Sequence, residues 1–198
     1  MKQAIIKKGK VLSEKVPSPN VSKGSVLIQV RYSCISAGTE MTSVNTTKKS
    51  LIKRAIDSPE EVREVLDFVK SNGIQKTIQK VRGVIDGGKQ TGYSVAGEVI
   101  AIGEGVTHLQ IGDKVAAAGA GIANHAEYVD VPTNLVMKMP SNLDYKFAST
   151  VTMGGIAMQG VRRAGLSFGE SCVVVGAGIL GLLALQMLKL SGVRVIVT

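Results

Sequence analysis

Residues 171–181 read SCVVVGAGILG, and the chain runs on as LLALQMLKLSGVRVIVT to Thr198. The β-branched run Val173, Val174 and Val175 suits a strand buried on both faces. Gly176, Gly178 and Gly181 follow at G-x-G-x-x-G spacing. Leu182 to Leu190 then reads as a helix packed on a sheet, with Ser191-Gly192 as its stop. Val193 to Val197 supplies a second strand. Three glycines at these spacings occur by chance. A strand before them and a helix and strand after them give the triplet its meaning.

Each glycine has a separate physical task in that reading. Gly176 makes the tight turn off the strand, Gly178 lets a pyrophosphate approach the backbone, and Gly181 lets the helix pack closely on the strand. The helix N-terminus presents unpaired N–H groups, those of Ile179 and Leu180 among them, and a positive dipole end to the pyrophosphate. The acid that reads the ribose is expected about 20 residues past the glycines, at or just beyond Thr198. An acid there would favour NAD and a nearby arginine NADP, so the pattern implies NAD or NADP without separating them. The competing reading is a structural turn with no ligand.

Two parallel strands and one crossover helix cannot cover both faces of a sheet. Further polypeptide or another chain is therefore expected to complete this element, and the chain reads as the N-terminal part of something longer. Hydrophobic residues at 44% and charged residues at 20% are ordinary for a globular protein and argue against disorder. The apolar run Cys172 to Leu185 is too short to span a bilayer and holds three glycines, so no membrane is expected. Met1 to Val16 has scattered lysines and no apolar core of signal-peptide length, which points to the cytoplasm. Cys34 and Cys172 are the only cysteines and read as reduced thiols. The formal charge of +9 is spread along the chain with few aromatics between the basic residues. It reads as a solvated surface or as attraction for an anionic ligand, and no nucleic acid is expected.

Residues 1–40 alternate like an antiparallel β domain, with strands at Ala4 to Ile6 and Val26 to Val30. Residues 48–90 change character. Ser58-Pro59-Glu60-Glu61 is a helix start, Val62, Val65, Leu66 and Val69 share one helical face, and Gly73 can end it. Ile74, Ile78, Val81 and Ile85 suggest another helix. This insert is either a packing lobe or a lid over the active site. As a lid, some of Lys48, Lys49, Lys53, Arg54, Arg63, Lys70, Lys76, Lys80, Arg82 and Lys89 would cover an anionic ligand. Strands return in GEVIAIGEGVTHLQIGDKV at 97–115 and HAEYVDVP at 125–132. A helical stretch from Phe147 to Arg163 leads into the glycine-rich unit.

In this order the segments resemble the medium-chain dehydrogenase/reductase superfamily over nearly the whole chain. SCISAGTE at 33–40 resembles the strand entering the active site, and TGYSVAG at 91–97 the next active-site segment. The long hairpin at 97–115, HAEYVDVP and VVVGAGILG match the following landmarks. The resemblance implies an α/β fold with a β barrel: a GroES-like catalytic domain over 1–145, with the helical insert at about 48–90, then the start of a Rossmann doubly wound parallel sheet over 146–198. SAGTE, the SLIKRA and SPEEVREVLDFVK insert, and Gly-Tyr in place of Gly-His resemble the bi-domain oxidoreductases. In those, a zinc-free medium-chain reductase is fused to a Gfo/Idh/MocA-type sugar dehydrogenase domain.

Zinc-dependent members carry a Cys, a Gly-His-Glu and a further ligand. The corresponding positions here are Ala37, Gly92-Tyr93-Ser94 and the neighbourhood of Val151. The four-cysteine structural lobe expected after Asp113 is replaced by AAAGAGIANHAEY. A tetrahedral site needs converging N, S or O ligands, so no zinc is expected. Without a Lewis acid, a hydrogen-bond donor or a conjugated substrate must stabilise the developing charge. Tyr93, with Ser36 and Ser94 beside it in this reading, forms the candidate catalytic set; the alternative for Tyr93 is a packed barrel aromatic. The expected function is a zinc-independent NAD(P)-dependent oxidoreductase moving hydride to or from a small-molecule, sugar-derived substrate, assembled as a homo-oligomer at full length. The competing function is a non-catalytic nucleotide-binding or scaffold module.

Overall fold

In the computed structural model of the protein, the described residues are 1–7, 9–48, 69–71, 73 and 87–198. They divide into two compact units, one of residues 1–17 and 35–91, the other of residues 18–34 and 92–198.

The first unit holds β1 (Lys2–Lys7), β2 (Lys10–Lys15), α1 (Ala37–Lys48) and the short β4 (Lys89–Gln90). Its sheet has the order β2-β1-β4, with β1 antiparallel to both neighbours. Among its described residues, Ile5 and Ile6 of β1 and Val44 of α1 are the buried apolar ones. β2, KVLSEK, is exposed along almost its whole length. It exists because its backbone pairs with β1, which is why the hydrophobic pattern gave no sign of it.

α1 was not expected either, since residues 33–40 read as part of a strand. The strand stops at Ser33 and the chain turns into a helix at Ala37. The reason is local. The Ser36 N–H donates to Glu40 Oε1 at 3.0 Å, and the Glu40 N–H donates to the Ser36 carbonyl at 3.0 Å. The second bond is the first regular turn of the helix, and the first lets the Glu40 carboxylate satisfy the N–H at the helix entry, as the acidic half of a capping box does. The expected helical insert at 48–90 lies largely outside the described residues. Val69, Lys70 and Ser71 are helical, and the Gly73 N–H donates to the Val69 carbonyl at 2.8 Å.

The second unit is built on β3 (Ser25–Ser33), β5 (Ser94–Ile102), β6 (Lys114–Ala118), β7 (Tyr128–Pro132) and β8 (Val136–Lys138). They form one antiparallel sheet in the order β7-β3-β5-β6-β8. Period-two alternation places Val26, Ile28, Val95, Val99, Val115, Ala117, Val129 and Val131 in one buried cluster with Leu109 and Ala123. Burying each Val, Leu or Ile side chain contributes about 1.5–3 kcal/mol, so this cluster is the main stabilising feature of the sheet. Ala96 and Ala116 point to the opposite face. There they meet Ala148, Met139, Tyr145 and Val151. These alanines leave room for a helix to lie close to the strands.

That covering segment is two helices, α2 (Tyr145–Ala148) and α3 (Val151–Ala164), rather than the single one expected from Phe147 to Arg163. The break has a cause. The Ser149 hydroxyl donates to the Lys146 carbonyl and the Thr150 hydroxyl to the Phe147 carbonyl, each at 2.8 Å. Hydroxyls bonded back to nearby carbonyls compete with regular helix bonds.

The glycine-rich segment folds as strand, helix and strand: β9 (Ser171–Val174), α4 (Ile179–Leu190) and β10 (Arg194–Val197). β9 and β10 are parallel, with Cys172 opposite Val195 and Val174 opposite Val197. At the end of α4 the Gly192 and Val193 N–H groups donate to the Lys189 and Leu188 carbonyls, each at 3.1 Å. This pairing stops the helix where Ser191-Gly192 predicted it. One expectation needs correction. Val173–Val175 was read as buried on both faces, yet Val173 is 58% and Val175 85% exposed, with Ile196 at 60%. Only the face carrying Cys172, Val174, Val195 and Val197 is half-buried, because a single crossover helix can cover only one side. No disulfide joins Cys34 and Cys172.

Candidate functional site

The glycine turn gives its three glycines three different environments. Gly176 has φ +99°, a conformation that side-chain-bearing residues rarely adopt. Its N–H donates to the Thr198 carbonyl at 2.8 Å, and the Thr198 N–H donates to the Val174 carbonyl at 3.2 Å. The end of β10 is thus bonded to the turn itself. A β-carbon on Gly181 would run into the Gly176 carbonyl oxygen and sit 3.4 Å from Val174 Cγ1. Gly176 is therefore required by its backbone conformation and Gly181 by close packing.

Gly178 is not. Its φ of −75° and ψ of −178° are ordinary extended values, and a β-carbon there would meet nothing within 4 Å. Gly178 precedes α4 and offers no side-chain cap. The Leu182 N–H donates to its carbonyl at 2.9 Å, so the N–H groups of Ile179, Leu180 and Gly181 lie ahead of the first helical acceptor. Open space over a glycine, beside helix-terminal N–H groups, fits a pyrophosphate. These residues would hold NAD or NADP if the pattern has that role.

The second candidate region is Gly92-Tyr93-Ser94. Gly92 has φ +96° and packs on His125: a β-carbon there would lie 2.5 Å from the His125 backbone nitrogen and 2.8 Å from its Cγ. Tyr93 is half-buried. Its carbonyl accepts from the Gly119 N–H at 3.0 Å and from the Thr152 hydroxyl at 3.0 Å. Ser94 is 0% exposed. Its hydroxyl donates to the Ser149 carbonyl at 2.6 Å and accepts from the Thr152 N–H at 3.2 Å. The helix break at 149–150 and the start of α3 thus grip this segment at two consecutive residues. Sequence reading singled out Tyr93 and Ser94 but missed Ser149, Thr152 and Gly119. The visible hint was the hydroxyl-rich Ser149-Thr150-Val151-Thr152 at a helix start.

Removing the Ser94 hydroxyl should leave a buried N–H and a buried carbonyl each short of a partner. Ser94→Ala is expected to cost about 1–3 kcal/mol of stability, measured as the shift in urea midpoint at unchanged m-value. A wild-type midpoint would show that these groups find water instead.

Ser36 lies in the first unit. It is 7% exposed, and its hydroxyl donates to Thr39 Oγ1 at 3.4 Å, so its described contacts are those of a residue at a helix entry. Of the positions that the resemblance sets against zinc ligands, Ala37 is the first residue of α1, Tyr93 and Ser94 lead into β5, and Val151 is the first residue of α3. Among the described residues no three His, Cys, Asp or Glu side chains gather where they could hold a metal ion. Of the ten basic residues at 48–89, Lys70 and Lys89 have described side chains, and both are exposed.

Known proteins share this architecture. Residues 69–141 match the alcohol dehydrogenase GroES-like domain family. The (R,R)-butanediol dehydrogenase of Bacillus subtilis is 30% identical over 125 residues, covering 51% of this chain and 36% of that protein. The D-guloside 3-dehydrogenase of Escherichia coli is 34% identical over 117 residues, covering 59% of this chain and 33% of that protein. These matches support the medium-chain dehydrogenase/reductase superfamily. The chain spans about a third of the length of these curated relatives. The Escherichia coli quinone oxidoreductase, solved in complex with NADPH, superposes with a TM-score of 0.71 at 14% identity, covering 100% of this chain and 52% of that one. At that identity the likeness is one of fold. Among the described residues no helix is long and apolar enough to cross a membrane.

Proposed function

We propose that this polypeptide belongs to an NAD(P)-dependent, zinc-independent oxidoreductase that moves hydride to or from a small-molecule, sugar-derived substrate. The observation that carries the proposal is Gly178. A positive φ accounts for Gly176 and close packing for Gly181, but neither backbone conformation nor any atom within 4 Å accounts for a missing side chain at 178. A ligand that must approach the backbone does. The dehydrogenase relatives and the NADPH complex of a fold neighbour support the same cofactor class. The guloside dehydrogenase supports a sugar-derived substrate.

In this reading the N–H groups of Ile179 and Leu180 and the dipole of α4 hold the pyrophosphate. NAD or NADP held there would supply or accept the hydride. Tyr93 donates its O–H to the substrate oxygen as negative charge develops there. Ser94 fixes the backbone beside it through Ser149 and Thr152, and Ser36 is proposed as the third member of the catalytic set. Residues 1–145 would form the GroES-like catalytic domain and 146–198 the first unit of a Rossmann domain. The exposed face of Val173, Val175 and Ile196 supports a sheet that is covered by further structure. The resemblance of SAGTE and SPEEVREVLDFVK to the bi-domain enzymes supports fusion to a Gfo/Idh/MocA-type domain. A homo-oligomer in the cytoplasm completes the proposal.

Two measurements test it. Titration of the intact protein with NADH and NADPH should show saturable binding of at least one, and binding of neither would overturn the cofactor assignment. Elemental analysis after a chelator wash should find no stoichiometric zinc. About one zinc per chain would restore Lewis-acid chemistry and remove the role given to Tyr93.

A further inference from the structure

We infer that Thr152 is a positioning residue that sets the orientation of Tyr93. The inference rests on the proposed function only for what Tyr93 does; the geometry stands without it. Two atoms of Thr152 bond to two consecutive residues. Its hydroxyl donates to the Tyr93 carbonyl at 3.0 Å, and its N–H donates to the Ser94 hydroxyl at 3.2 Å. The Ser94 hydroxyl in turn donates a hydrogen bond to the Ser149 carbonyl at 2.6 Å. Ser94 is 0% exposed, so water does not compete for that bond.

The Tyr93 backbone is therefore fixed from two sides. The Gly119 N–H holds its carbonyl from the loop after β6, and Thr152 holds it from the start of α3. Gly92, at φ +96° and packed on His125, closes the N-terminal side. With the carbonyl, the next residue and the preceding residue all held, little freedom remains in the backbone dihedrals that aim the Tyr93 ring. The Thr152 hydroxyl can be removed without touching the glycine turn, the buried cluster of the sheet, or Tyr93 itself. α3 also packs against α4, the helix that opens at the glycine turn. Thr152 thus stands where a shift in the cofactor-proximal helices would reach the candidate donor.

The test uses the intact protein labelled with 3-fluorotyrosine. Tyr93→Phe assigns the resonance that matters. Thr152→Val removes the hydroxyl but keeps the backbone N–H and the Gly119 bond, so the protein should fold. The Tyr93 resonance should move or broaden in Thr152→Val while the other tyrosine resonances stay in place, and Thr152→Ser should restore the wild-type position. A Tyr93 resonance unchanged in Thr152→Val, or one that Thr152→Ser fails to restore, would overturn the inference. If Thr152→Val moves the other tyrosine resonances as well and lowers the melting temperature, the residue is a general packing element and the inference again fails. NADH and NADPH are then added as probes. Failure of both to bind wild type would defeat the cofactor reading, while the ligand-free spectra would still decide the role of Thr152.

Discussion

Gly178→Val is expected to weaken binding of NADH or NADPH at least tenfold while leaving the fold intact. The branched side chain would occupy the open space over the turn where the pyrophosphate must approach. A loss of about 2 kcal/mol or more corresponds to that affinity change. The folding cost should be small, because φ −75° and ψ −178° suit valine and no atom lies within 4 Å of the new β-carbon. Exchanging glycine for valine at a helix cap costs about 1 kcal/mol at most. Gly181→Ala should lose stability first. Its β-carbon meets the Gly176 carbonyl oxygen, a backbone atom that cannot swing aside, so the melt should fall and binding should fall with it. Calorimetric titration and thermal melts of both variants separate the two effects. Equal cofactor affinity in wild type and Gly178→Val would leave the turn a structural one only. The cofactor that wild type prefers would also supply the distinction that the sequence pattern left open.

The glycine turn was legible because its signal is local: three glycines, a β-branched run before and an apolar helix after, all within residues 171–198. β3, β5 and β7 were legible for a similar reason, since alternation of buried Val and Ile survives in the sequence whatever lies across the sheet. β2 and β8 were not. Val11 is 57% exposed and Met137 65%, so these strands are specified by their partners' backbones. α1 was hidden by its threonines. Thr42 and Thr46 bond back to the Gly38 and Thr42 carbonyls at 2.9 Å, and only Val44 is buried, so no apolar stripe marks the helix. Reading the first valines of the glycine-rich unit as doubly buried failed because burial depends on what lies across the sheet, and residue type cannot report that. The grip on Tyr93 was the least legible feature. Ser94 and Thr152 are separated by 58 positions, and no local pattern in either stretch names the other. Residue identity pointed to Tyr93 as a chemical candidate; only the fold shows what holds it.

That hold leads to the second large effect, at Gly92. Gly92→Ala is expected to lower stability by about 3 kcal/mol or more, from two sources. A side chain at φ +96° carries strain of about 1–3 kcal/mol. Its β-carbon would also sit 2.5 Å from the His125 backbone nitrogen and 2.8 Å from its Cγ, and such overpacking costs a further 1–3 kcal/mol or so, roughly. Gly105 separates the two sources. It has φ +86°, but a β-carbon there would meet nothing within 4 Å, so Gly105→Ala should show the dihedral strain alone, about 1 kcal/mol. Urea denaturation of the two variants gives the steric part as their difference. The damage at Gly92 should also reach beyond stability. His125 can yield only by moving the segment after β6, and that segment carries the Gly119 N–H that holds the Tyr93 carbonyl. Exchange of the Gly119 amide should therefore speed up in Gly92→Ala under conditions where both variants remain folded, and stay at the wild-type rate in Gly105→Ala. If the two variants lose the same stability and Gly119 exchanges alike in both, then contact with His125 does not constrain Gly92, and the Tyr93 carbonyl depends on Thr152 more than on the loop.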